Sequence, residues 1–203
     1  YKEKGIKYLY IYKEDFKRHI NFTVNLAKTV KTSESLETTK KIEFIKNATD
    51  VVLTQIQLEG VTQESYENAK TIIETTLTVM GDANELLSIL EVLSKEPNHQ
   101  FAHNLGVSLH SALIAKAMDW KSPLILFKLA MGGLLHDIGK QQLPPELLNK
   151  SPLRYSKEEL KTYQSHPKLG AELLSKLDYI PADVVQIVAQ HHENFKGTGF
   201  PGR

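Results

Sequence analysis

The chain has 203 residues, a formal net charge of +1 and no cysteine. A near-neutral balance argues against nucleic acid as the default partner, and zero cysteine excludes disulfides, thiolate metal sites and thiol nucleophiles together. With 41% hydrophobic residues the chain can bury a core, and no run approaches the roughly eighteen apolar residues that suggest a membrane span.

Ile6 to Tyr12 is rich in β-branched and aromatic residues and predicts a short strand. Phe16, Ile20, Val24, Ala27 and Val30 then keep helical spacing, so Glu14 to Val30 is expected to be a helix. Ile42, Ile45, Val52 and Ile56 mark a second helix over Leu36 to Leu58, which Gly60 ends. Thr62 is the expected N-cap of a third, with Val61 and Tyr66 as a hydrophobic staple. It runs to about Met80, and Gly81 closes it. Asp82 and Glu85 predict a capped fourth helix that stops near Glu96, before Pro97. Residues 1–95 hold no catalytic constellation. His19, their only histidine, reads as a helix-surface residue, and the region reads as regulatory or dimerising.

The second half is punctuated more sharply. His99 to Met118 is one expected helix. Ser122 followed by Pro123 starts another that runs into His136-Asp137, with Gly139 ending it. Pro144-Pro145 opens a short turn to Leu148. Ser156 with Glu159 forms a capping box for a helix reaching His166-Pro167, and helix resumes through Gly170 to Leu177. Pro181 begins the last helix, which ends at His191-His192-Glu193, and a glycine-punctuated loop follows to Pro201. The chain opens on Tyr1-Lys2-Glu3-Lys4 without a signal segment. A piece of a longer chain, trimmed at both ends, is expected.

Seven of the eight histidines lie after residue 98. Leu134-Leu135-His136-Asp137-Ile138-Gly139-Lys140 sets a His, an Asp and a Lys at the end of an apolar run. A buried carboxylate beside a buried imidazole needs a partner. A metal ion is one, and a salt bridge to Lys140 is another. Imidazole nitrogen and carboxylate oxygen suit first-row divalent ions, and a bridging carboxylate can serve two. His103, His136, Asp137, His166, His191 and His192 form the available set. Adjacent His191 and His192 point about 100° apart on a helix, so they suit two ions, or one ion and one phosphate. Each histidine alone has a plainer explanation. His103 fits a satisfied core position, His166 a helix break, and His191-His192 a solvated helix end. As an ordered set they point to metal chemistry.

The set His103, His136-Asp137-Ile138-Gly139-Lys140, His166-Pro167-x-x-Gly170 and His191-His192-Glu193-x-x-x-Gly197-x-Gly199-Phe200-Pro201 resembles the HD-GYP family over roughly residues 97 to 203. The resemblance implies a mainly α fold, an HD-type helical bundle over 96–203, preceded by the smaller helical region with its short strand. It implies His103, His136, Asp137, His166, His191 and His192 as ligands of two divalent ions, iron first and manganese as the alternative. Asp137 would bridge them. Lys140 would contact the substrate phosphate, and Gly197, Gly199 and Phe200 would shape the site mouth with loop N–H groups exposed.

The implied activity is hydrolysis of cyclic di-GMP or a related cyclic dinucleotide by a metal-bridging hydroxide, in bacterial second-messenger signalling in the cytoplasm. Signalling-protein partners and a homodimer are expected, DNA is not. Two other readings stand beside it: an HD-GYP-like adaptor with weak or no hydrolysis, and an HD hydrolase acting on mononucleotides. Four departures from the family pattern bear on them. Phe200 stands where the family has Tyr, Gly106 where many members have Arg, and His99 where some three-metal members have Glu. The chain also stops before the helix that follows the loop in the family.

Overall fold

The computed structural model describes residues 10–33, 35–79 and 99–201. Among them the regular structure is helical, as expected. The predicted strand over 6–12 falls mostly outside the described residues, and Tyr10 to Tyr12 carry no strand. The helix predicted from Asp82 to Glu96 lies outside them.

Among the described residues the N-terminal part has three helices, α1 (Lys13–Thr32), α2 (Thr38–Glu59) and α3 (Gln63–Val79). Their apolar stripes face one another. Ile20 and Val24 of α1, Ile42, Val52 and Ile56 of α2, and Tyr66 and Ile72 of α3 belong to one buried cluster. Two local signals behave as expected. Gly60 ends α2 at φ 78°, a left-handed geometry that glycine adopts at little cost. The Ser65 amide donates to Thr62 Oγ1 at 3.1 Å, closing the cap of α3 beside buried Val61 and Tyr66. Buried Gln55 is satisfied from two sides: it donates to Glu59 at 3.0 Å and accepts from Asn68 at 3.0 Å, which pins α2 to α3.

Six helices follow: α4 (His99–Ala117), α5 (Pro123–Leu135), α6 (Pro145–Leu148), α7 (Lys157–Tyr163), α8 (His166–Leu174) and α9 (Ala182–Gln190). α5 lies at the centre, against α4, α3 and α9. A Cβ on Gly133 would stand 2.8 Å from the Ser108 Cα, so only a glycine permits the observed approach of α5 to α4. The buried cluster continues without a break into this half, through Leu105, Leu109, Met131, Leu134, Val184 and Val188. Tyr179 adds a polar tie, donating to the Val61 carbonyl at 2.9 Å across the two halves.

Three local details differ from the sequence reading, and α8 ends at Leu174 rather than at Leu177. Ser122 occupies the N-cap of α5 but makes no side-chain cap bond, so Pro123 alone marks the start. α5 stops at Leu135, and a 3-10 turn over Ile138–Gln142 carries the chain past Asp137. The break before α8 falls at Gln164-Ser165, and Pro167 sits inside the first turn of α8. A proline is tolerated there because that N–H has no intrahelical partner to lose. The capping box at Ser156 and Glu159 has both of its hydrogen bonds. No helix of the described residues is long and apolar enough to cross a membrane.

Candidate metal centre

The site forms where the ends of α5, α8 and α9 meet the first turns of α4. α5 is apolar to its last turn, so its C-terminal residues are carried inside: His136 is 4% and Asp137 5% exposed. The 3-10 turn then lies directly on α8. A Cβ on Gly139 would stand 2.0 Å from the His166 carbonyl oxygen and 2.5 Å from the Gly170 amide nitrogen. The glycine of the His-Asp motif thus sets the separation between Asp137 and His166.

Three histidines are fixed in the same way. Nδ1 of His136 donates to the Gly133 carbonyl at 2.7 Å, that of His166 to Tyr163 at 2.7 Å, and that of His191 to Val188 at 2.8 Å. A carbonyl only accepts, so Nδ1 carries a proton; in the neutral ring Nε2 then has the free lone pair that binds a metal. These lone pairs converge. His166 Nε2 and His191 Nε2 are 3.1 Å apart, and His103 Nε2 lies 3.0 Å from His136 Nε2.

Asp137 sits between the two pairs. Its Oδ2 lies 3.3 Å from His136 Nε2 and 3.7 Å from His103 Nε2; its Oδ1 lies 3.3 Å from His166 Nε2 and 3.8 Å from His191 Nε2. Oδ2 also accepts from Lys140 Nζ at 2.6 Å and from Gln100 Nε2 at 3.2 Å. Oδ1 is buried and accepts no hydrogen bond. Burial alone would raise the Asp137 carboxyl. The neighbouring His136 and His166 imidazoles and the Lys140 ammonium outweigh it and hold the group well below the usual carboxylate range. Burial pushes His103 down, helped by the charge of His136. Burial brings His191 and His192 down to about 4, with the neighbouring histidines adding to it.

The donors form two groups, His166 with His191 and His192, and His103 with His136 and Asp137. The ligand atoms of each group lie within 4.8 Å of one another. A divalent metal site fits this arrangement. Two imidazole lone pairs about 3 Å apart repel unless a cation lies near both, and an orphaned buried carboxylate oxygen calls for the same thing. The salt bridge to Lys140, the alternative considered from sequence, exists, yet it satisfies only Oδ2. His191 and His192 fall in one group rather than being divided between two. His110 donates to the Gly106 carbonyl at 2.7 Å on an exposed face, away from the site. His99 belongs to neither group.

The mouth loop differs from its expectation. Glu193 Oε1 accepts from the Gly199 amide at 2.6 Å and from the Asn194 amide at 2.9 Å. The Gly197, Thr198 and Phe200 amides donate to Asn194 O, Asn194 Oδ1 and His192 O. The loop N–H groups are therefore spent on the loop itself, not exposed to a ligand. Phe200 stacks on His192, with centroids 4.3 Å apart at 22°. The roles of three side chains escaped the sequence reading. Gln100 reaches Asp137; its position one turn before His103 was the available signal. Glu193 organises the loop. Tyr163 lies 5.3 Å from Lys140 Nζ, ring face to ammonium, and nothing in the spacing points to it.

The HD domain family model matches residues 86–203. The chain is 31% identical over 128 residues to cyclic di-GMP phosphodiesterase PA4108 of Pseudomonas aeruginosa, a match covering 63% of this chain and 30% of that protein. It is 28% identical over 141 residues to 3'3'-cGAMP-specific phosphodiesterase 2 of Vibrio cholerae, covering 68% and 26%. Among solved structures, Bd1817, an HDG"Y"P protein from Bdellovibrio bacteriovorus, superposes with TM-score 0.75 at 22% identity, covering 94% of this chain and 62% of that one. The matched stretches thus span about a third or less of these two curated relatives. A helical fold closed around a His-Asp motif, with this match, defines an HD domain. The chain belongs to that family.

Proposed function

We propose that the chain carries a metal-dependent phosphodiesterase centre that hydrolyses a cyclic dinucleotide of the cyclic di-GMP kind, in cytoplasmic bacterial second-messenger signalling. The observation that carries this reading is Asp137, with one carboxylate oxygen toward His103 and His136 and the other toward His166 and His191. In this reading His103, His136 and Asp137 would hold one divalent ion, and His166, His191 and His192 would hold a second. The all-nitrogen-and-oxygen donor set suits iron, with manganese as the alternative. Such a pair would supply an acidified water as nucleophile and positive charge at phosphorus.

The remaining work falls to side chains of this chain. Lys140 holds its proton more tightly than a free lysine: burial opposes that, but hydrogen bonding to Asp137 and Tyr163 prevails. It is therefore a fixed cation at the edge of the site, placed to balance charge gathering on the phosphate oxygens. Glu193 holds the loop of Gly197, Gly199 and Phe200 in shape, and that loop borders the substrate. The division of labour places chemistry in 96–203 and a regulatory or dimerising role in 1–95.

The test is elemental analysis of protein purified without oxygen, paired with a cyclic di-GMP hydrolysis assay. About two equivalents of metal and accumulation of the linear dinucleotide are expected. Metal retained without hydrolysis would favour the adaptor reading, which the exchange of Tyr for Phe200 beside His192 motivates. Turnover confined to mononucleotides would overturn both.

A further inference from the structure

The cavity beside Asp137 has a wall that lies outside the matched family. Its volume is about 380 Å³, and both Asp137 and Lys140 border it. Small-molecule sites begin at about this size. Another part of the wall is Leu53, Ile56 and Gln57. These belong to α2, upstream of the family match at 86–203.

The lining is chemically uneven. Beyond Asp137 and Lys140 its charged group is Lys150, which already holds Glu159 at 2.6 Å. The rest of its polar lining is rich in carboxamides. Gln100 donates to Asn104 at 2.8 Å and to Asp137 at 3.2 Å, so its amide nitrogen is committed. Gln57 and Gln141 line the cavity, and among the described residues their side chains make no hydrogen bond. A carboxamide presents a donor and an acceptor side by side, which is why Asn and Gln pair with the mixed edges of purines. Leu53 and Ile56 offer apolar surface beside Gln57. Tyr155 and Tyr163, with rings 5.5 Å apart, offer flat aromatic surface on which bases stack.

We propose that α2 supplies the base-recognition wall of the site, with Gln57 reading the edge of a purine whose phosphate lies against Lys140. The placement of the phosphate rests on the phosphodiesterase reading. The recognition wall makes its own claim: a helix that is not part of the HD domain selects the nucleotide. Gln57 is exposed, so replacing it leaves the core intact.

The test uses the whole chain and the variants Gln57→Ala and Gln57→Trp. Dissociation constants for cyclic di-GMP and 3′3′-cyclic GMP–AMP are measured by calorimetry on metal-free and metal-loaded protein. Turnover of bis(4-nitrophenyl) phosphate, a diester without a nucleobase, is measured on the loaded protein. Gln57→Trp, which fills the wall, should weaken both dinucleotides by about tenfold or more, and Gln57→Ala should weaken them by up to about tenfold and change their ratio, since one hydrogen bond is lost. Metal content and turnover of the base-free diester should stay within about twofold, because neither reads the base. The proposal falls if Gln57→Ala leaves both constants and their ratio within twofold of wild type. It falls equally if wild type binds neither dinucleotide, or if Gln57→Trp lowers base-free turnover as much as dinucleotide binding. Wild type that binds with these shifts yet hydrolyses neither dinucleotide would sink the phosphodiesterase reading and leave the recognition wall standing. Hydrolysis with unmoved constants would do the reverse.

Discussion

The two oxygens of Asp137 have different surroundings. Oδ2 has Lys140 at 2.6 Å and Gln100 at 3.2 Å, and the His103 beside it is half exposed, with 53% of its side chain open to solvent. Oδ1 has no hydrogen bond at all, and the His166 beside it is completely buried. The protein by itself therefore neutralises one side of the carboxylate and leaves the other to a cation. Protein donors can hold the Oδ2 side in shape without metal. On the Oδ1 side Nε2 of His166 and Nε2 of His191 face each other at 3.1 Å. Metal should matter most to structure on that side, and substrate contacts should gather on the other, where Lys140 and the cavity lie.

The largest effect is expected from removing the shared carboxylate. Asp137→Asn keeps the shape and removes the charge. It should take metal content close to zero and lower turnover by about 10³-fold or more, since several kcal/mol of transition-state stabilisation go with the ions. Inductively coupled plasma mass spectrometry and chromatography of the linear dinucleotide would measure both. A variant that still holds one full equivalent would make the two sides independent sites rather than one bridged centre.

Next come single histidines, which set the two sides against each other. His166→Ala opens a cavity in the buried side as well as removing a ligand, whereas His103→Ala trims a half-exposed side chain. Each should cost about one equivalent of metal. His166→Ala should also lower apo-protein stability by about 2 kcal/mol through the cavity, and His103→Ala by less than about 0.5 kcal/mol. Denaturant unfolding of the metal-free variants reads the difference; equal losses would erase the structural contrast between the sides.

Much of this centre was legible in the sequence because ligand order survives without knowledge of packing. His103, His136, Asp137, His166, His191 and His192 lie in motifs whose residues are close in the chain, and the structure brings all six together. The local signals at Thr62, Gly60 and Ser156 were legible for the same reason, since a cap is decided within four residues. What spacing could not supply was long-range. The contribution of α2 to the cavity wall, the approach of Tyr163 to Lys140 and the neighbours of each Asp137 oxygen depend on where separate helices come to rest. The loop N–H groups were misjudged because Glu193 and Asn194 fold back onto them, and polar side chains in a glycine-rich loop can bond inward or outward with equal ease.

A smaller effect should follow pH. His191 sits near 4 in the folded protein, against an ordinary 6.5, chiefly because it is buried. Between those values the unfolded chain binds a proton that the folded apo-protein refuses. Stability is therefore fully present above pH 6.5, falls as pH drops toward 4, and stops falling once both states are protonated. The loss should be on the order of 1–2 kcal/mol after allowing for partial solvent access. Calorimetric Tm of the metal-free protein across pH 7.5 to 4.5 tests it. His191→Leu should make the profile shallower, leaving the share of His192, which is also near 4, and bound metal should displace it to lower pH because ligand nitrogens must be deprotonated.

The smallest effect concerns the most exposed ligand of the Oδ1 side. His166 needs no help to hold its position, being buried and bonded to Tyr163. His192 is exposed, and its support is the ring of Phe200, stacked at 4.3 Å. If stacking is the role of this position, the hydroxyl that a tyrosine would add is secondary. Phe200→Tyr should then leave metal affinity and turnover within about twofold, while Phe200→Ala frees the His192 ring and weakens the Oδ1-side metal by about tenfold, the lower end for losing a group that orients a ligand. Metal competition with a chelator separates the two variants. A large gain of turnover in Phe200→Tyr would mean that the hydroxyl acts on substrate, and that Phe200 marks a reduced active site rather than a ring that steadies His192.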